Sequence, residues 1–453
     1  MNQADAFEIL KLGENIFLTG PAGCGKTFLL NKYIRHLRKN NIRVGVTAST
    51  GIAATHLNGR TIHSWCGIGI SETMTNAQIK ALVKKEQLKQ RITSTKVLII
   101  DEVSMLNAKR LDLVDYICKA IRQDVRPFGG MQIILCGDFF QLPPVSRGEE
   151  DNRFVTESSI WKNMDINICY LEDQHRQGDK SFLRVLNDIR GNSVTKDTST
   201  ILRKRLNKEV ATKIKPTKLH THNRDVDSYN NSELDKIEED EVVYEMKSNG
   251  DKHLIKGLKN GYCLAPEILK LKKGAVVMFV RNNFGKKYVN GTLGKVIGFD
   301  ADDNYPIVET ISGNTIVASP ESWNIEDGSE VVASVSQVPL RLAWAITVHK
   351  SQGMSLDCAE IDLSKTFEYG MGYVALSRVR SLNGIKLVGI NSMALKVNKE
   401  AIKLNKILFA KSKKDLKKSS GMDKKAMEKK QKDFLRKNKD DDNYNTIFEY
   451  HFK

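Results

Sequence analysis

The sequence predicts an α/β protein with two parallel sheets, and three observations support this fold class. Short apolar runs alternate with helical stretches, and NIFLTG, VGVTAST, KVLIIDE and MQIILCGD each resemble a buried strand that ends in a polar or glycine-rich turn. A second series begins near Asn167 with NICYL, TKLHTHN, AVVMFV, LAWAITVHKSQG, AEIDL and GIKLVG. The length of 453 residues suffices for about three domains.

Changes in this pattern suggest where the domains begin and end. We expect the first α/β domain at residues 1–166, with a small helical insertion at about 64–92. The second α/β domain is expected in two parts, 167–281 and 338–410. Between these parts, residues 282–337 contain short β-like pieces separated by Asp, Asn, Gly and Pro, which predicts a small inserted β-barrel.

The amino-acid composition indicates which class of molecule the protein binds and in which cellular compartment it is expected. The formal net charge of +17 and the pI near 9.3 favour a polyanion, with nucleic acid ahead of a membrane. The sequence has neither an 18-residue apolar run nor a signal-peptide h-region, which predicts a cytoplasmic protein, nucleoid-associated if bacterial. Seven scattered cysteines without a Cys-x-x-Cys pair argue against a disulfide framework or zinc site. The lysine-rich tail, residues 411–453, is either a solvated or disordered segment or a tether to nucleic acid.

The segment GPAGCGKT (Gly20–Thr27) matches the phosphate-loop pattern between a predicted strand and a predicted helix. Its glycines let backbone N–H groups approach phosphates, and the helix N-terminus favours anions. Lys26 is expected to reach the β- and γ-phosphates, and Thr27 to bind magnesium. The other residues of the nucleotide cradle are Gly20, Pro21, Ala22, Gly23, Cys24 and Gly25.

Two further strand ends carry polar residues suited to nucleotide chemistry. Asp101 follows the strand VLII and fits magnesium, while Glu102 fits the base that positions an attacking water. The alternative for either carboxylate is a helix cap. After the strand MQIILCGD, Gln141 fits a sensor of the γ-phosphate, although a proline turn alone would also explain GDFFQLPPV.

Two arginines in distant motifs complete this set. Arg176 lies in LEDQHRQ and Arg378 in YVALSRVR, and a guanidinium stabilises the charge that develops on a transferring phosphoryl group. Taken singly, each arginine is better explained as an ordinary surface residue, because the chain has 71 lysines and arginines.

Together with TASTGIAATHLNGRTIHSWCGIG and VPLRLAWAITVHKSQGMSLD, these motifs occur in an order that closely resembles the Pif (petite integration frequency) family of superfamily 1, B-type DNA helicases. DKSFLRVLNDIRGN resembles the family's signature helix. The resemblance implies two tandem RecA-like P-loop domains, a small wedge insertion and an SH3-like β-barrel insertion. It also implies ATP and Mg²⁺ as cofactors and 5′–3′ translocation on single-stranded DNA.

The same resemblance assigns individual roles. Gln3 matches the residue that reads adenine, Gln141 the γ-phosphate sensor, and Arg176 and Arg378 the two arginine fingers. His175 departs from the family, which usually has an aromatic residue before the first finger.

A DNA track is expected on both α/β domains. Hydroxyl and basic side chains at strand ends bind phosphates without sequence preference, and aromatic rings stack on bases. The candidates are Thr50, Gly51, His63, Trp65, Asn223, His349, Lys350 and Ser351. A turn cap is the alternative for His63 and a core position for Trp65. The segment 65–70 is the candidate wedge.

These inferences predict an ATP-dependent DNA helicase that acts as a monomer on single-stranded DNA and single-strand/duplex junctions. G-quadruplexes and RNA–DNA hybrids stay open as further partners, and the resemblance implies roles in DNA repair, recombination, replication or telomere-type maintenance. The main alternative is a DNA-stimulated ATPase that remodels nucleoprotein complexes without processive unwinding. A small-molecule kinase is disfavoured, because it needs neither the second α/β domain nor the distant arginines.

Overall fold

The computed structural model describes residues 1–57, 59–69, 73–143, 154–173, 179–211, 216–221, 226–259, 263–281, 283, 285, 288, 290–327, 330–349 and 351–439. The predicted site residues Arg176, Asn223 and Lys350 lie outside these ranges. Within them, no helix combines the length and the apolar character needed to cross a bilayer.

Six parallel strands form the first sheet, in the spatial order β3-β2-β4-β5-β1-β6. The strands are β1 (Asn15–Thr19), β2 (Val44–Ala48), β3 (Arg60–Thr61), β4 (Val97–Asp101), β5 (Gln132–Cys136) and β6 (Ile166–Tyr170). β4, β5 and β6 are buried along their whole length, as expected where helices cover both faces. The helices of this domain are α1 (Gln3–Leu10), α2 (Lys26–Lys39), α3 (Gly51–His56), α4 (Ile62–Cys66), α5 (Asn76–Val83), α6 (Glu86–Ser94), α7 (Ala108–Arg122) and α8 (Ser159–Asn163).

The predicted boundary at residue 167 is wrong, because NICYL belongs to the first sheet. β6 pairs in parallel with β1 over five positions, from Asn15 opposite Ile166 to Thr19 opposite Tyr170. A short apolar strand is compatible with either sheet, and its partner is selected only when the chain folds. The predicted insertion at about 64–92 corresponds to the end of α4 together with α5 and α6, between β3 and β4.

A second parallel sheet of four strands has the order β18-β7-β19-β20. Its strands are β7 (Thr217–His220), β18 (Ala345–Thr347), β19 (Ala359–Leu363) and β20 (Ile385–Ile390). The helices around it are α9 (Lys180–Arg190), α10 (Lys196–Arg203), α11 (Val226–Asp235) and α13 (Met371–Ser377). Two parallel sheets in tandem confirm the predicted α/β class.

The antiparallel insertion is larger than the predicted range 282–337. It contains a sheet of order β14-β13-β12-β11-β17, a sheet of order β15-β16-β9 and the pair β10-β8. AVVMFV, predicted as a strand of the second parallel sheet, instead forms β11. This strand lies between β12 and β17 and pairs antiparallel with both. The elements are β8 (Val242–Glu245), β9 (Lys247–Gly250), α12 (Lys252–Gly257), β10 (Ile268–Leu271), β11 (Val276–Phe279), β12 (Leu293–Phe299), β13 (Pro306–Thr310), β14 (Thr315–Val317), β15 (Glu321–Asp327), β16 (Glu330–Gln337) and β17 (Leu340–Leu342).

Two C-terminal helices, α14 (Lys399–Ser420) and α15 (Lys424–Asn438), pack on the first domain, so the predicted boundary at 411 falls inside a helix. The Ser412 hydroxyl accepts a hydrogen bond from the Tyr170 amide (3.1 Å), and Asp415 accepts one from the Ile168 amide (2.8 Å). These side chains therefore satisfy amides on the edge strand β6. The prediction of a solvated or disordered tail is wrong for the inner faces of α14 and α15, which are docked, and its last part, residues 440–453, lies outside the described residues.

Candidate active site

Glycines shape the loop between β1 and α2. Gly20 has φ +147°, and a Cβ atom there would lie 2.5 Å from the carbonyl oxygen of Leu171. Gly25 precedes α2 with φ 86°, a left-handed conformation that glycine adopts without strain. The loop therefore leads directly into the N-terminus of α2, where unpaired amides and the helix dipole favour an anion.

The Lys26 side chain folds back over this loop. Its ammonium donates to the carbonyl oxygens of Gly20 (2.8 Å) and Pro21 (3.1 Å). Burial lowers the pKa of Lys26, but nearby thiols and the carboxylates of Asp138 and Glu102 more than offset this and raise the pKa above its ordinary value. Lys26 is therefore a fixed positive charge at the expected phosphate position.

Asp101 and Glu102 lie at the carboxyl end of β4. An Asp101 carboxylate oxygen accepts a hydrogen bond from the Glu102 amide (2.8 Å), and burial raises the pKa of Asp101. Burial, followed by the charge of Asp101, raises the pKa of Glu102 to about 7. Glu102 also has φ 50° and ψ 42°, which is strained for a residue with a side chain. Perturbed carboxylates on strained backbone are typical of catalytic sites.

Residues of the second domain reach Glu102. Gln352, shortly after β18, donates from Nε2 to Gln141 Oε1 (3.2 Å) and lies 3.4 Å from Glu102 Oε2. Arg378, at the end of α13, is 3 % exposed, and its pKa is lowered by burial although Glu102 opposes this. Its guanidinium donates to the Val374 carbonyl and the Ser377 hydroxyl, both at about 3.0–3.1 Å. Gln352 thus links Gln141 to Glu102, and Arg378 interacts electrostatically with Glu102 from the second domain.

A buried polar network that the sequence analysis did not identify adjoins the loop. Arg190 contacts both Asp138 oxygens at 2.6 Å, and its guanidinium lies 4.1 Å from the Phe140 ring centroid. The Tyr373 hydroxyl is 3.3 Å from Arg190 and accepts a hydrogen bond from the Ala22 amide (3.0 Å). Each of these residues lies in one of the sequence motifs described above. Only the contacts among them in the folded protein assign them a role. The network joins the phosphate loop to the second domain.

The remaining nucleotide candidates surround the same loop. Gln3, at the start of α1, donates from Nε2 to the Cys24 carbonyl (3.1 Å). Thr27 is exposed in the first turn of α2, and Asp101 is buried at the neighbouring strand end. A hydroxyl and a carboxylate are ligands that Mg²⁺ accepts beside substrate phosphates, so this pair fits the implied cation.

Several predicted DNA-binding residues are accessible at strand ends. Thr50 is half-buried after β2, where its hydroxyl accepts a hydrogen bond from the Ala53 amide (3.3 Å), and Gly51 begins α3. His63 in α4 is half-buried, and burial and then Arg110 lower its pKa to about 4. His349 lies 3.7 Å from Glu368 and is 27 % exposed. Both histidines therefore have exposed atoms near the sheet edges.

Two predicted DNA-binding residues are wrong for direct side-chain contact. Trp65 is 2 % exposed in the core of the first domain, and its indole packs over Gly45 of β2. Ser351 is fully buried, and its hydroxyl donates to the Val348 carbonyl (2.7 Å). The proposed wedge 65–70 meets the same objection, because Trp65, Cys66 and Ile68 are all core residues.

Comparison with known proteins adds independent evidence. The profile of the PIF1-like helicase family matches residues 2–198, and the profile of the 2B domain of DNA helicase Pif1 matches residues 258–299. The chain is 45 % identical to ATP-dependent DNA helicase Pif1 of Psychrobacter sp. (strain PRwf-1), over 88 % of this chain and 69 % of that protein. It is 36 % identical to human ATP-dependent DNA helicase PIF1, over 87 % of this chain and 61 % of the human protein. The chain thus spans about 60–70 % of the length of these relatives.

Solved structures agree with these matches. Bacteroides sp. Pif1 in complex with ADP-AlF4 superposes with a TM-score of 0.77 at 32 % identity, covering 90 % of this chain and 96 % of that one. Pif1 helicase from Bacteroides in complex with ADP-AlF3 and single-stranded DNA has a TM-score of 0.62 at 30 % identity and the same coverage.

Proposed function

This chain belongs to the family of PIF1-like helicases, and from that premise we propose that it is an ATP-dependent DNA helicase that moves 5′ to 3′ along single-stranded DNA. The observation that carries the proposal is the contact between the two α/β domains at the phosphate loop. Tyr373 and Gln352 of the second domain contact Ala22 and Glu102 of the first. A nucleotide bound there would touch both domains, so its hydrolysis would change how they fit together.

The residues of the first domain would bind and activate the nucleotide. Lys26 would exchange its carbonyl partners for the β- and γ-phosphate oxygens, and Gln3 lies beside the loop where it could read the adenine. Thr27 and Asp101 would hold Mg²⁺, which when bound supplies positive charge to the phosphates. Glu102 would hold the attacking water and accept its proton. The nearby Lys26 lowers the pKa of Glu102, and an added cation would act in the same direction.

The second domain would complete the site when the cleft closes. Arg378 would turn from the Val374 carbonyl towards the γ-phosphate, where a guanidinium stabilises transition-state charge, and Arg176 would be the second finger. Gln141 and Gln352 share a hydrogen bond and would report the γ-phosphate across the cleft. Closure and reopening would then follow ATP binding and hydrolysis.

The single strand would cross both domains. Thr50, Gly51 and His63 would contact it on the first domain, and Asn223, His349 and Lys350 on the second. Sequence-independent contacts of this kind suit a motor that moves along any base sequence. Single-strand/duplex junctions are the expected substrates, with repair, recombination or replication as the setting.

Unwinding of two matched duplexes tests the proposal, one with a 5′ and one with a 3′ single-stranded tail, each with and without ATP. Opening of only the 5′-tailed duplex with ATP is the expected result. Opening of only the 3′-tailed duplex would contradict the direction. DNA-stimulated hydrolysis without opening of either duplex would support a remodelling ATPase instead.

A further inference from the structure

The outer side of α14 carries a row of lysines that the active site does not use. Residues 399–439 include sixteen basic and five acidic residues, a surplus of eleven in a chain of net charge +17. After Lys399, the exposed lysines of α14 are spaced by three, four or seven residues or stand as adjacent pairs, and so share one broad face of the helix. We call this row the lysine face, and it consists of Lys403, Lys406, Lys413, Lys414, Lys417 and Lys418.

The opposite side of α14 is fixed to the protein. Ala401 and Leu408 are buried, and the Ser412 and Asp415 side chains bond to amides of the edge strand β6. The lysine face is therefore held in a fixed position on the protein and is not part of a flexible charged segment. Lys414, Lys417 and Lys418 have no carboxylate within salt-bridge distance among the described residues, so their charges are available to a partner.

The position of the lysine face separates it from the proposed first-domain track. β6 and β3 lie at opposite edges of the six-stranded sheet, and Thr50, Gly51 and His63 follow β2 and β3. Five strand spacings of about 4.8 Å place the two edges about 24 Å apart. A strand held on the track would not need to touch α14.

The chemistry of this face indicates what it would bind. Single-strand sites combine positive charge with aromatic rings on which bases stack. The two aromatic rings of this region already have partners within the protein: Phe409 packs edge-on against Tyr170 with Lys413 Nζ 4.5 Å from its ring centroid, and Phe434 covers Gly13. Lys403 and Lys418 are separated by about 22 Å along the helix, the length of about six to seven base pairs. This arrangement fits a phosphate backbone rather than bases.

We propose that the lysine face of α14 binds the backbone of duplex DNA as a second site, apart from the single-strand track. The inference rests on the proposed function only in taking DNA as the substrate. Binding of duplex DNA to this face would be independent of base sequence and sensitive to salt. Substitutions in the ATP site would not change it. It would hold the helicase near a junction whose single strand occupies the track.

The test uses the full chain and a fluorescent blunt duplex of about 20 base pairs, with binding measured by anisotropy across a range of salt concentrations. The variant carries Lys413→Gln, Lys414→Gln, Lys417→Gln and Lys418→Gln, because glutamine preserves helix propensity. We expect duplex affinity to fall about tenfold or more at low salt. The slope of log Kd against log salt should decrease by about 0.9 for each lost phosphate contact.

Two controls make the test specific. Replacing the same four lysines by arginine should retain duplex binding, because the charges remain. Removing four exposed charges of the second domain, Lys196, Arg203, Lys204 and Lys208, by glutamine should weaken duplex binding much less. A short single strand should bind the lysine-face variant normally and stimulate its ATP hydrolysis normally, which tests the proposed function separately.

Three results would overturn the inference. They are unchanged duplex affinity in the lysine-face variant, an equal loss in the second-domain control, or a parallel loss of single-strand affinity. Equal thermal melting of the variants establishes that the comparison is between folded proteins.

Discussion

Replacing Arg190 with alanine is expected to destabilise the protein strongly, because it would leave the buried Asp138 carboxylate without the cation that pairs with it. The Arg190 and Asp138 side chains are 8 % and 0 % exposed, and the guanidinium contacts both carboxylate oxygens at 2.6 Å. Removing one member of a buried pair costs about 3–5 kcal/mol. The same change also removes contacts to the Phe140 ring and the Tyr170 hydroxyl.

The effect should be large enough for a thermal melt. A loss of about 3–5 kcal/mol in a unit of 150–250 residues lowers Tm by roughly 6–20 °C. Arg184 offers a matched control on the same helix, because its pair with Asp197 is 3.2 Å long but 54 % and 73 % exposed. Arg184→Ala should cost about 0–1 kcal/mol. Differential scanning calorimetry of the first unfolding transition measures both variants.

A double-mutant cycle identifies the cause. With Asp138→Asn already present, the further change Arg190→Ala should cost less, because no buried charge is left behind. Our reasoning about the network would be refuted if the Arg190→Ala and Arg184→Ala variants melted at the same temperature. It would also be refuted if the two changes at Arg190 and Asp138 were simply additive.

Three further predictions concern the nucleotide site. Lys26→Ala should abolish ATP hydrolysis while single-strand binding, measured by anisotropy, survives; normal turnover would show that Lys26 does not contact phosphates. Arg378→Ala should keep nucleotide affinity and lose about 10³-fold or more in kcat, whereas lost affinity at unchanged kcat would make Arg378 structural. Glu102→Gln should block hydrolysis and also stabilise the nucleotide-free protein at high pH. Since the folded pKa of Glu102 is raised to about 7, wild-type stability falls as pH rises from about 4.5 to 7, by up to about 3 kcal/mol. The gain in Tm from Glu102→Gln should therefore be small at pH ~5 and large at pH ~8, and a gain independent of pH would contradict this assignment.

The C-terminal helices illustrate where sequence patterns mislead. The docked face of α14 is polar because β6 presents donors that require acceptors. Ser412 and Asp415 accept from backbone amides of β6, and Asn405 accepts from the Tyr170 hydroxyl. A search for apolar periodicity misses such a face, since the docking interactions are hydrogen bonds as well as burial. The same limitation explains Trp65, whose aromatic character fits a stacking platform and a core equally well until its neighbours are known.

By itself, the sequence determined the α/β class and the identity of the phosphate loop, because strand periodicity, glycine conformation and lysine charge act within a few neighbouring residues. The carboxylates after β4 follow from the same local chemistry. Only the tertiary structure decided that β6 joins the first sheet, that Tyr373 and Gln352 reach the loop, and that Arg190 neutralises Asp138. These are pairings between residues 52 to 351 positions apart, or between interchangeable apolar strands, and the free energy that selects among them arises from packing and burial of the whole chain.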